Sequence, residues 1–457
     1  MQRAVAVIGG GMSGLSACYH LTRSPRISQV ALLEASGRLG GWLRSTRRED
    51  GAIFEHGPRG VRPAGAVGRS TLDMVSELGL EGEVLPVLAS HEASKNRFLY
   101  VGGQLHRMPS GVGGLVRTVP PFSRPLAVSV LKELLTRRGD QEDESIHGFV
   151  ERRLGKELAD IVMDCLCRGV FAGDCRELSL RSCFPPLFRA ERDWGSVVLG
   201  LIRGGGDARL PVRRRLARGS RRRRGSHVGM ILPPNDLNCH MGPRPHLCHG
   251  VPNNLAQYHV GPLSDARVVL SARHAFPVSL WLQFCSLAHR PARILPCIQS
   301  VTVAVVNLEY EGSVLPFTGF GHLVPSFENG ALLGIVYDSV AFPQHNRRGD
   351  PSTRLTVRPN GLISQIYTGS ILSRTHNDLV QRVSCSTMVD RQAATAAPIF
   401  QVYQTISHLV PLLLTEKIRH YISHHSLPLS LVGASFEGVS VNDVIRSGQM
   451  AAERIVG

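Results

Sequence analysis

The stretch Arg3-Ala4-Val5-Ala6-Val7-Ile8-Gly9-Gly10-Gly11-Met12-Ser13-Gly14 decides the fold. A short β-branched apolar run ends in a glycine cluster, and an amphipathic stretch continues to about Arg23. This predicts strand, tight turn and helix. Gly9 permits the turn, Gly11 lets a pyrophosphate approach the backbone, and Gly14 lets the helix pack closely, with the phosphates at the positive end of the helix dipole. Such a pattern alone also fits an ordinary glycine-rich turn. Its context argues further: Gln29 to Leu33 reads as a second buried strand, ending in Glu34, 20 residues after Gly14. A carboxylate there can accept hydrogen bonds from an adenosine ribose. The competing reading, an ordinary strand-end carboxylate, is disfavoured by the spacing, and the unit is expected to be a dinucleotide site.

Immediately after Glu34 comes Ala35-Ser36-Gly37-Arg38-Leu39-Gly40-Gly41-Trp42. The Glu-x-x-x-Arg-x-Gly-Gly pattern resembles the FAD-binding signature of the flavin amine oxidase superfamily and points to FAD rather than NAD. The block Gly51-Ala52-Ile53-Phe54-Glu55-His56-Gly57-Pro58-Arg59-Gly60 narrows the resemblance to the protoporphyrinogen/coproporphyrinogen oxidase family. The resemblance implies cofactor contacts at Gly9, Gly10, Gly11, Met12, Ser13, Gly14, Glu34, Ala35, Arg38, Gly41, Trp42, Gly57, Pro58, Arg59 and Gly60. From the residues themselves, Gly40, Gly41 and Gly57 remove side chains where a flat ring system must pass close to backbone. Arg59 offers a cation beside a ring that becomes anionic on reduction, or else is a surface arginine in a Gly-Pro-rich turn.

The far end carries the complement. Leu427 to Asp443 reads as a buried strand, a Gly-rich turn and a helix start, with the helix expected over Val444 to Ile455. The resemblance places Ala434, Val439, Ser440 and Val441 on the flavin, so the FAD domain is expected to close from both chain ends, 1–90 and 414–457. The expected fold class is a Rossmann-type α/β FAD domain, a mixed-sheet substrate domain and a helical, membrane-associated insertion at 91–202.

Within that insertion, Asn96-Arg97-Phe98-Leu99-Tyr100 and Asp164-Cys165-Leu166-Cys167-Arg168-Gly169 resemble the family closely. The resemblance gives Arg97 a substrate propionate, which suits the two-pronged guanidinium. It sets Leu166 against the macrocycle and makes Arg168 a brace of the cavity wall, with Arg59, Arg97 and Arg168 as the candidate catalytic set. Without the resemblance both Arg97 and Arg168 read as solvated surface. Cys165 and Cys167 read as packing residues, because thiols two apart on a helix point in different directions. Further on, Gln299 to Leu308 predicts a long strand, and the strands around Gly319–Pro325 and Gly334–Ser339 should lie antiparallel in the substrate sheet at 299–343. Phe320, Gly321, Leu323 and Val336 are the implied lining of the tetrapyrrole slot. Arg358 stands where the family has a methionine, and a charge in such a slot is costly unless paired.

Two segments, 203–298 and 344–413, depart from the family. The formal charge of +16 is mostly local: ten arginines against one acid fall between Arg203 and Arg224. From there to about residue 262 no packed element is expected, and disorder is expected across 203–298. A basic arm for nucleic acid or anionic lipid is one reading; sequence foreign to the family, such as a retained intron, is preferred, because lysine is absent between Lys156 and Lys417. Neither nucleic acid nor metal is an expected partner; Cys239, His240, His246, Cys248 and His249 fit no common zinc spacing.

The chain is 43% hydrophobic over 457 residues, which excludes a disordered or fibrous protein and suits several packed units. No apolar run reaches the length of a spanning helix. Ten irregularly spaced cysteines do not resemble a disulfide framework. The resemblance implies oxidation of protoporphyrinogen IX to protoporphyrin IX, hydride leaving a methylene bridge for the flavin, with O2 reduced to H2O2. It further implies a homodimer attached peripherally to the intermembrane-space face of the mitochondrial inner membrane. His322 is considered as a base, but a structural strand histidine is preferred. Another flavin amine oxidase and an inactive isoform are the alternatives.

Overall fold

β1 (Arg3–Ile8) and β2 (Ile27–Glu34) pair in parallel, in register from Ala4↔Gln29 to Ile8↔Leu33. The computed structural model describes residues 3–34, 36–204, 248–250, 267–271, 300–330, 332–359, 399–406 and 412–457. β7 (Cys248–Gly250), β8 (Arg267–Ser271) and β14 (Leu429–Val432) complete a parallel sheet of order β14-β8-β1-β2-β7. A parallel sheet needs cover on its faces. Here α1 (Met12–Thr22) and α13 (Val441–Val456) enclose a core of Val5, Val7, Ala17, Leu21, Val30, Leu32, Val269, Val432, Ala451 and Ile455.

The two ends of the chain are locked by that helix pair. A Cβ at Gly448 would lie 2.2 Å from the Ser13 carbonyl oxygen, so only glycine lets α13 approach α1 this closely. Ser16 Oγ donates to the Ile445 carbonyl at 2.7 Å across the same contact. α13 begins at Val441 rather than at the expected Val444. Ser440 caps it, its hydroxyl accepting from the Asp443 N–H at 3.1 Å while the Asp443 carboxylate accepts from the Ser440 N–H at 3.2 Å.

The second sheet is mixed. β5 (Phe98–Val101), β6 (Gln104–Arg107), β9 (Ser300–Glu311), β10 (Gly321–Leu323), β11 (Leu332–Tyr337), β12 (Ser352–Pro359) and β13 (Ile399–Ile406) run in the order β13-β9-β12-β11-β10-β5-β6. β10 lies parallel to β5 and antiparallel to β11, as the sequence predicts for the latter pair. Val306, Leu308, Tyr310, Ile335, Tyr337, Leu355 and Val357 form its core. The hairpin of β3 (Ser45–Arg47) and β4 (Ile53–Glu55) abuts this sheet, where Asn307 Nδ2 donates to the Glu55 carbonyl at 3.0 Å.

Four helices fill the remaining links: α2 (Gly65–Glu77), α3 (Glu92–Lys95), α11 (Asp338–Ala341) and α12 (Leu412–His424). The expected insertion at 91–202 carries β5 and β6 of the second sheet near its start, and the stretch that follows is helical: α4 (Gly111–Val116), α5 (Leu126–Leu135), α6 (Ile146–Leu154), α7 (Asp164–Phe171), α8 (Leu180–Cys183), α9 (Pro185–Trp194) and α10 (Val197–Gly204). Its core gathers Ile146, Phe149, Val150, Met163, Cys167, Phe171, Leu178 and Leu180. Cys165 and Cys167 are fully buried packing residues, as expected. Arg153 is fully buried too, satisfied by Glu133 at 2.5 Å and Glu191 at 2.6 Å. Among the described residues no helix is long and apolar enough to cross a membrane.

One expectation needs correction, that of disorder across 203–298, and the divergent segment 344–413 also forms strands. The segment 203–298 supplies β7 and β8, and β8 sits between β1 and β14 at the heart of the parallel sheet. A three-residue strand such as β7 has no periodicity to read, and Arg267-Val268-Val269-Leu270-Ser271 is short enough that only a faint likeness to a family strand over 265–272 marked it. The segment 344–413 supplies β12 and β13 to the substrate sheet. β12 hid because Ser352 through Val357 are all buried, polar and charged members included, which erases the two-residue alternation.

Candidate functional site

β1 delivers the chain to Gly9 at φ +99°, a backbone conformation that favours glycine. A Cβ at Gly9 would lie 2.1 Å from the Ser271 carbonyl oxygen, and one at Gly14 would lie 1.9 Å from the Gly9 carbonyl oxygen. The turn is therefore clamped between the end of β8 and the first turn of α1. Gly11 differs: nothing lies nearer to its missing Cβ than 3.9 Å, so its backbone faces open space. Opposite, Gly41 at φ +61° has a missing Cβ 3.1 Å from Gly11 Cα. The first turn of α1 has neither a side-chain cap nor an acidic residue, leaving its N–H groups and dipole for an anion.

These surfaces bound a cleft of about 740 Å³ including its open mouth. Gly9, Gly11, Met12 and Ser13 line it from the first turn, Glu34 from β2, and Gly40 to Leu43 from the following loop. Pro58, Ser271 at the end of β8, Gly433 to Ser435, Val439, Val441 and Val444 complete it. Two of these carry buried polar atoms without a hydrogen bond among the described residues, Trp42 Nε1 and Ser435 Oγ. A phosphate-accepting helix start, a carboxylate, glycine walls and unsatisfied polar atoms fit a flavin dinucleotide.

The structure divides the expected cofactor residues. Gly9, Gly11, Met12, Ser13, Glu34, Gly41, Trp42, Pro58, Ala434, Val439 and Val441 line the cleft. Gly10 and Gly14 shape it from behind. Gly10 N–H donates to Glu34 Oε2 at 2.7 Å, and Glu34 Oε1 accepts from the Ser36 N–H and hydroxyl at 2.8 and 2.7 Å. Arg38 braces the next loop, donating to the carbonyls of Leu39 at 3.2 Å and Gly41 at 2.5 Å. Ser440 caps α13. Gly57 and Gly60 are not among the lining residues, and Ala35 lies outside the described residues. Leu43, Ser271, Gly433, Ser435 and Val444 were missed. The signal for Ser271 is its place at the carboxyl end of a central parallel strand, where ligands of such sheets sit.

Arg59 is not a cation left facing a flavin. It is buried, with its guanidinium 2.8 Å from Asp338 Oδ1 and donating to Thr356 Oγ1 at 2.9 Å. Thr356 Oγ1 lies 2.5 Å from Asp338 Oδ2 and 2.8 Å from Asn307 Oδ1. Glu55 and Arg354 belong to the same buried junction. Burial raises the Glu55 carboxyl above the usual range, and Arg354 donates to the carbonyls of Ile53 and Phe342. The junction ties the segment beside Pro58 to the substrate sheet.

On that sheet Gly321 pairs with Val336, and Leu323 pairs with Gly334. The alternation of a strand puts all four on one face, and that face meets α7: a Cβ at Gly169 would lie 2.7 Å from Leu323 Cδ2. Arg358, paired with Gly334, donates to the Gly169 carbonyl at 3.0 Å, which answers the cost of its charge. Leu166 and Leu323 are half-buried against helical cores, Val336 is half-buried, and Phe320 is 42% exposed. Phe320 is held beside Arg97, its N–H donating to the Asn96 carbonyl at 3.0 Å. Arg97 itself is exposed and has no ion pair among the described residues. Surrounding protein and the Arg62 cation both work against its charge, a condition that a carboxylate ligand relieves.

Arg168 is buried and spends its guanidinium on the carbonyls of Val324, Asn329 and Gly330 at 2.7, 3.0 and 2.9 Å. It braces the turn after β10 rather than reaching out of it. His322 lies on the opposite strand face, its Nδ1 2.6 Å from the Tyr337 hydroxyl. Burial pushes its imidazole down to about 3, so it is a neutral core histidine, shut away on the face opposite the slot residues.

Comparison with known proteins follows the same lines. Residues 12–236 match the family model described as flavin containing amine oxidoreductase. The chain is 45% identical to the protoporphyrinogen oxidase of Homo sapiens and 46% identical to that of Macaca fascicularis, covering 100% of this chain and 99% of each relative. Among solved structures it is similar to a putative protoporphyrinogen oxidase from Exiguobacterium, with a TM-score of 0.68 at 18% identity over 100% of this chain and 99% of that one.

Proposed function

The chain belongs to the protoporphyrinogen oxidase family of flavoproteins, and from that premise we propose that it oxidises protoporphyrinogen IX to protoporphyrin IX in haem biosynthesis. O2 is the terminal acceptor, three molecules being reduced to three H2O2 as the six hydrogens leave. The observation that carries this reading is a cleft with glycine backbone walls, closed by residues from both ends of the chain. FAD, when bound, supplies the two-electron acceptor.

The protein's own groups do the rest. The uncapped start of α1 would hold the FAD pyrophosphate, Glu34 would take the ribose, and Trp42 and the Gly40–Gly41 backbone would help hold the rest of the cofactor. Arg97 binds a substrate propionate through a charge-assisted pair of hydrogen bonds. Phe320, Gly321, Leu323 and Val336 present an apolar and backbone surface to the macrocycle, with Leu166 behind on α7. The side chains position and exclude water. No described side chain serves as a base, and released protons pass to solvent.

The reading extends to the chain's surroundings. Val128, Leu131, Leu135, Leu199 and Ile202 on α5 and α10 are exposed apolar side chains, which supports peripheral contact with lipid. The location proposed is the intermembrane-space face of the mitochondrial inner membrane, and the state a homodimer.

The test is direct. The purified chain should be yellow, and its flavin absorbance should bleach when protoporphyrinogen is added without O2 and return on aeration. A yellow protein bleached by an amine but not by protoporphyrinogen would sink the substrate assignment. A colourless protein would sink the cofactor assignment.

A further inference from the structure

The carboxyl end of α12 carries a feature that the proposed chemistry leaves unused. Arg419-His420-Tyr421-Ile422-Ser423-His424-His425 sets His420 and His424 four residues apart, so they share one helix face. Their ring centroids lie 5.9 Å apart with planes 66° to each other. Both rings are exposed, and neither has a hydrogen bond or ion pair among the described residues. His425 packs on Tyr421 with centroids 4.1 Å apart, and its ring also lies 5.0 Å from that of His424, but it follows His424 directly in the chain and is not on the face shared at four-residue spacing.

We propose that His420 and His424 chelate a divalent transition-metal ion of the Zn2+, Cu2+ or Ni2+ class, with water completing the shell. Two imidazoles at this spacing on a helix form a two-point ligand whose backbone is already ordered. Metal–nitrogen bonds of about 2.0–2.1 Å can be made to both rings by an ion seated between them, through small side-chain rotations. The ligands are solvent-accessible, so entry needs no opening of the fold. The plain alternative is two solvated histidines, since a helix C-terminus favours positive charge. In that case nothing would distinguish this pair from any other exposed histidine of the chain.

The site has a structural consequence. Arg419, the residue before His420, donates to the Phe436 carbonyl at 3.2 Å and pairs with Glu437 at 2.5 Å. Those residues follow directly on the cleft-lining Gly433 to Ser435. An ion spanning the last turn of α12 therefore staples the helix that holds the cleft's carboxy-terminal loop, and the folded state should gain stability by mass action.

The experiment uses full-length flavin-loaded protein, stripped of adventitious metal by a chelator and titrated calorimetrically with Cu2+ and with Zn2+. His420→Gln and His424→Gln should each weaken the tightest site by about tenfold or more, because a chelate is reduced to a single ligand. His425→Gln, whose ring lies beside His424 but off the shared face, should weaken it clearly less than either. Paramagnetic resonance of the first Cu2+ equivalent should show coupling to two nitrogens, one of them lost in each active variant. Binding that survives the double variant, or that depends on His425 as much as on His420, would overturn the assignment, as would the absence of any site tighter than that of the double variant. The chain has 19 histidines, so the comparison with the double variant, rather than total metal uptake, decides the question.

Discussion

At the cofactor cleft the walls are backbone: Gly9, Gly11 and Gly41 bring main chain to the ligand surface with no side chain between. At the junction beside it, where β4 meets β9 and β12, the walls are charged and polar side chains. Arg59 pairs with Asp338, Thr356 lies within hydrogen-bond reach of Arg59, Asp338 and Asn307, and Arg354 beside them holds the Ile53 and Phe342 carbonyls, all largely out of water. The first construction needs particular residues at fixed local spacing. The second needs partners nearly 300 positions apart, and no one of them means anything without the others. A backbone wall tolerates no added atom, whereas a side-chain network tolerates replacement of the whole but not loss of a part.

The severest test of that contrast is Gly14→Val. The added Cβ would fall 1.9 Å from the Gly9 carbonyl oxygen, which is main chain and cannot rotate away. Overpacking at such a site costs about 3 kcal/mol, and here the displaced atoms form the cleft itself. Flavin content, read as the ratio of flavin to protein absorbance after gel filtration, should fall to near zero. Retention of wild-type flavin would show that the turn can relax, and the backbone-wall account would fail.

The same contrast explains what the sequence discloses. Gly9, Gly11, Glu34 and Gly41 were legible because each belongs to a local spacing with its own physical reason, whereas Ala434 and Val441 at the other chain end came from the family resemblance. Arg59 was also singled out, but with a partner unknown it read as a free cation. Asp338 and Thr356 carry no local signal at all, since a carboxylate after a strand and a threonine within one are commonplace. Arg168 illustrates a middle case. Its bracing of the cavity wall came from the family resemblance, and three backbone carbonyls in one turn turn out to be what it holds. β8 was legible only as a faint family likeness over 265–272, because it is a short strand in a divergent segment, and β12 was illegible because it buries polar residues on both faces.

The junction is tested by Asp338→Ala, which leaves Arg59 buried without its carboxylate. Removing one partner of a buried ion pair costs about 3–5 kcal/mol, and the midpoint of denaturant unfolding should fall accordingly. Replacing both partners, as in Arg59→Met with Asp338→Leu, removes the uncompensated charge and should recover most of that loss. If the double variant is as unstable as the single one, the two residues are not a unit and the comparison with the cleft collapses. Flavin content need not follow stability here, because Pro58 lines the cleft while the Arg59 side chain points its charge into the junction.

Arg97→Gln is the smallest perturbation and the most informative about substrate. Unlike Arg59 and Arg168, Arg97 is exposed and has no ion pair among the described residues, so its loss should change folding stability by no more than about 0.5 kcal/mol. What it should remove is a charge-assisted contact to the substrate, about 1.5–3 kcal/mol, which appears as a rise in KM of roughly tenfold or more. Because the propionate stays far from the bond that breaks, it is held equally before and during the reaction, and kcat should hardly move. An equal fall in kcat would place Arg97 at the reacting bond instead. A drop in stability with unchanged KM would return it to the company of Arg168, as a brace of the fold.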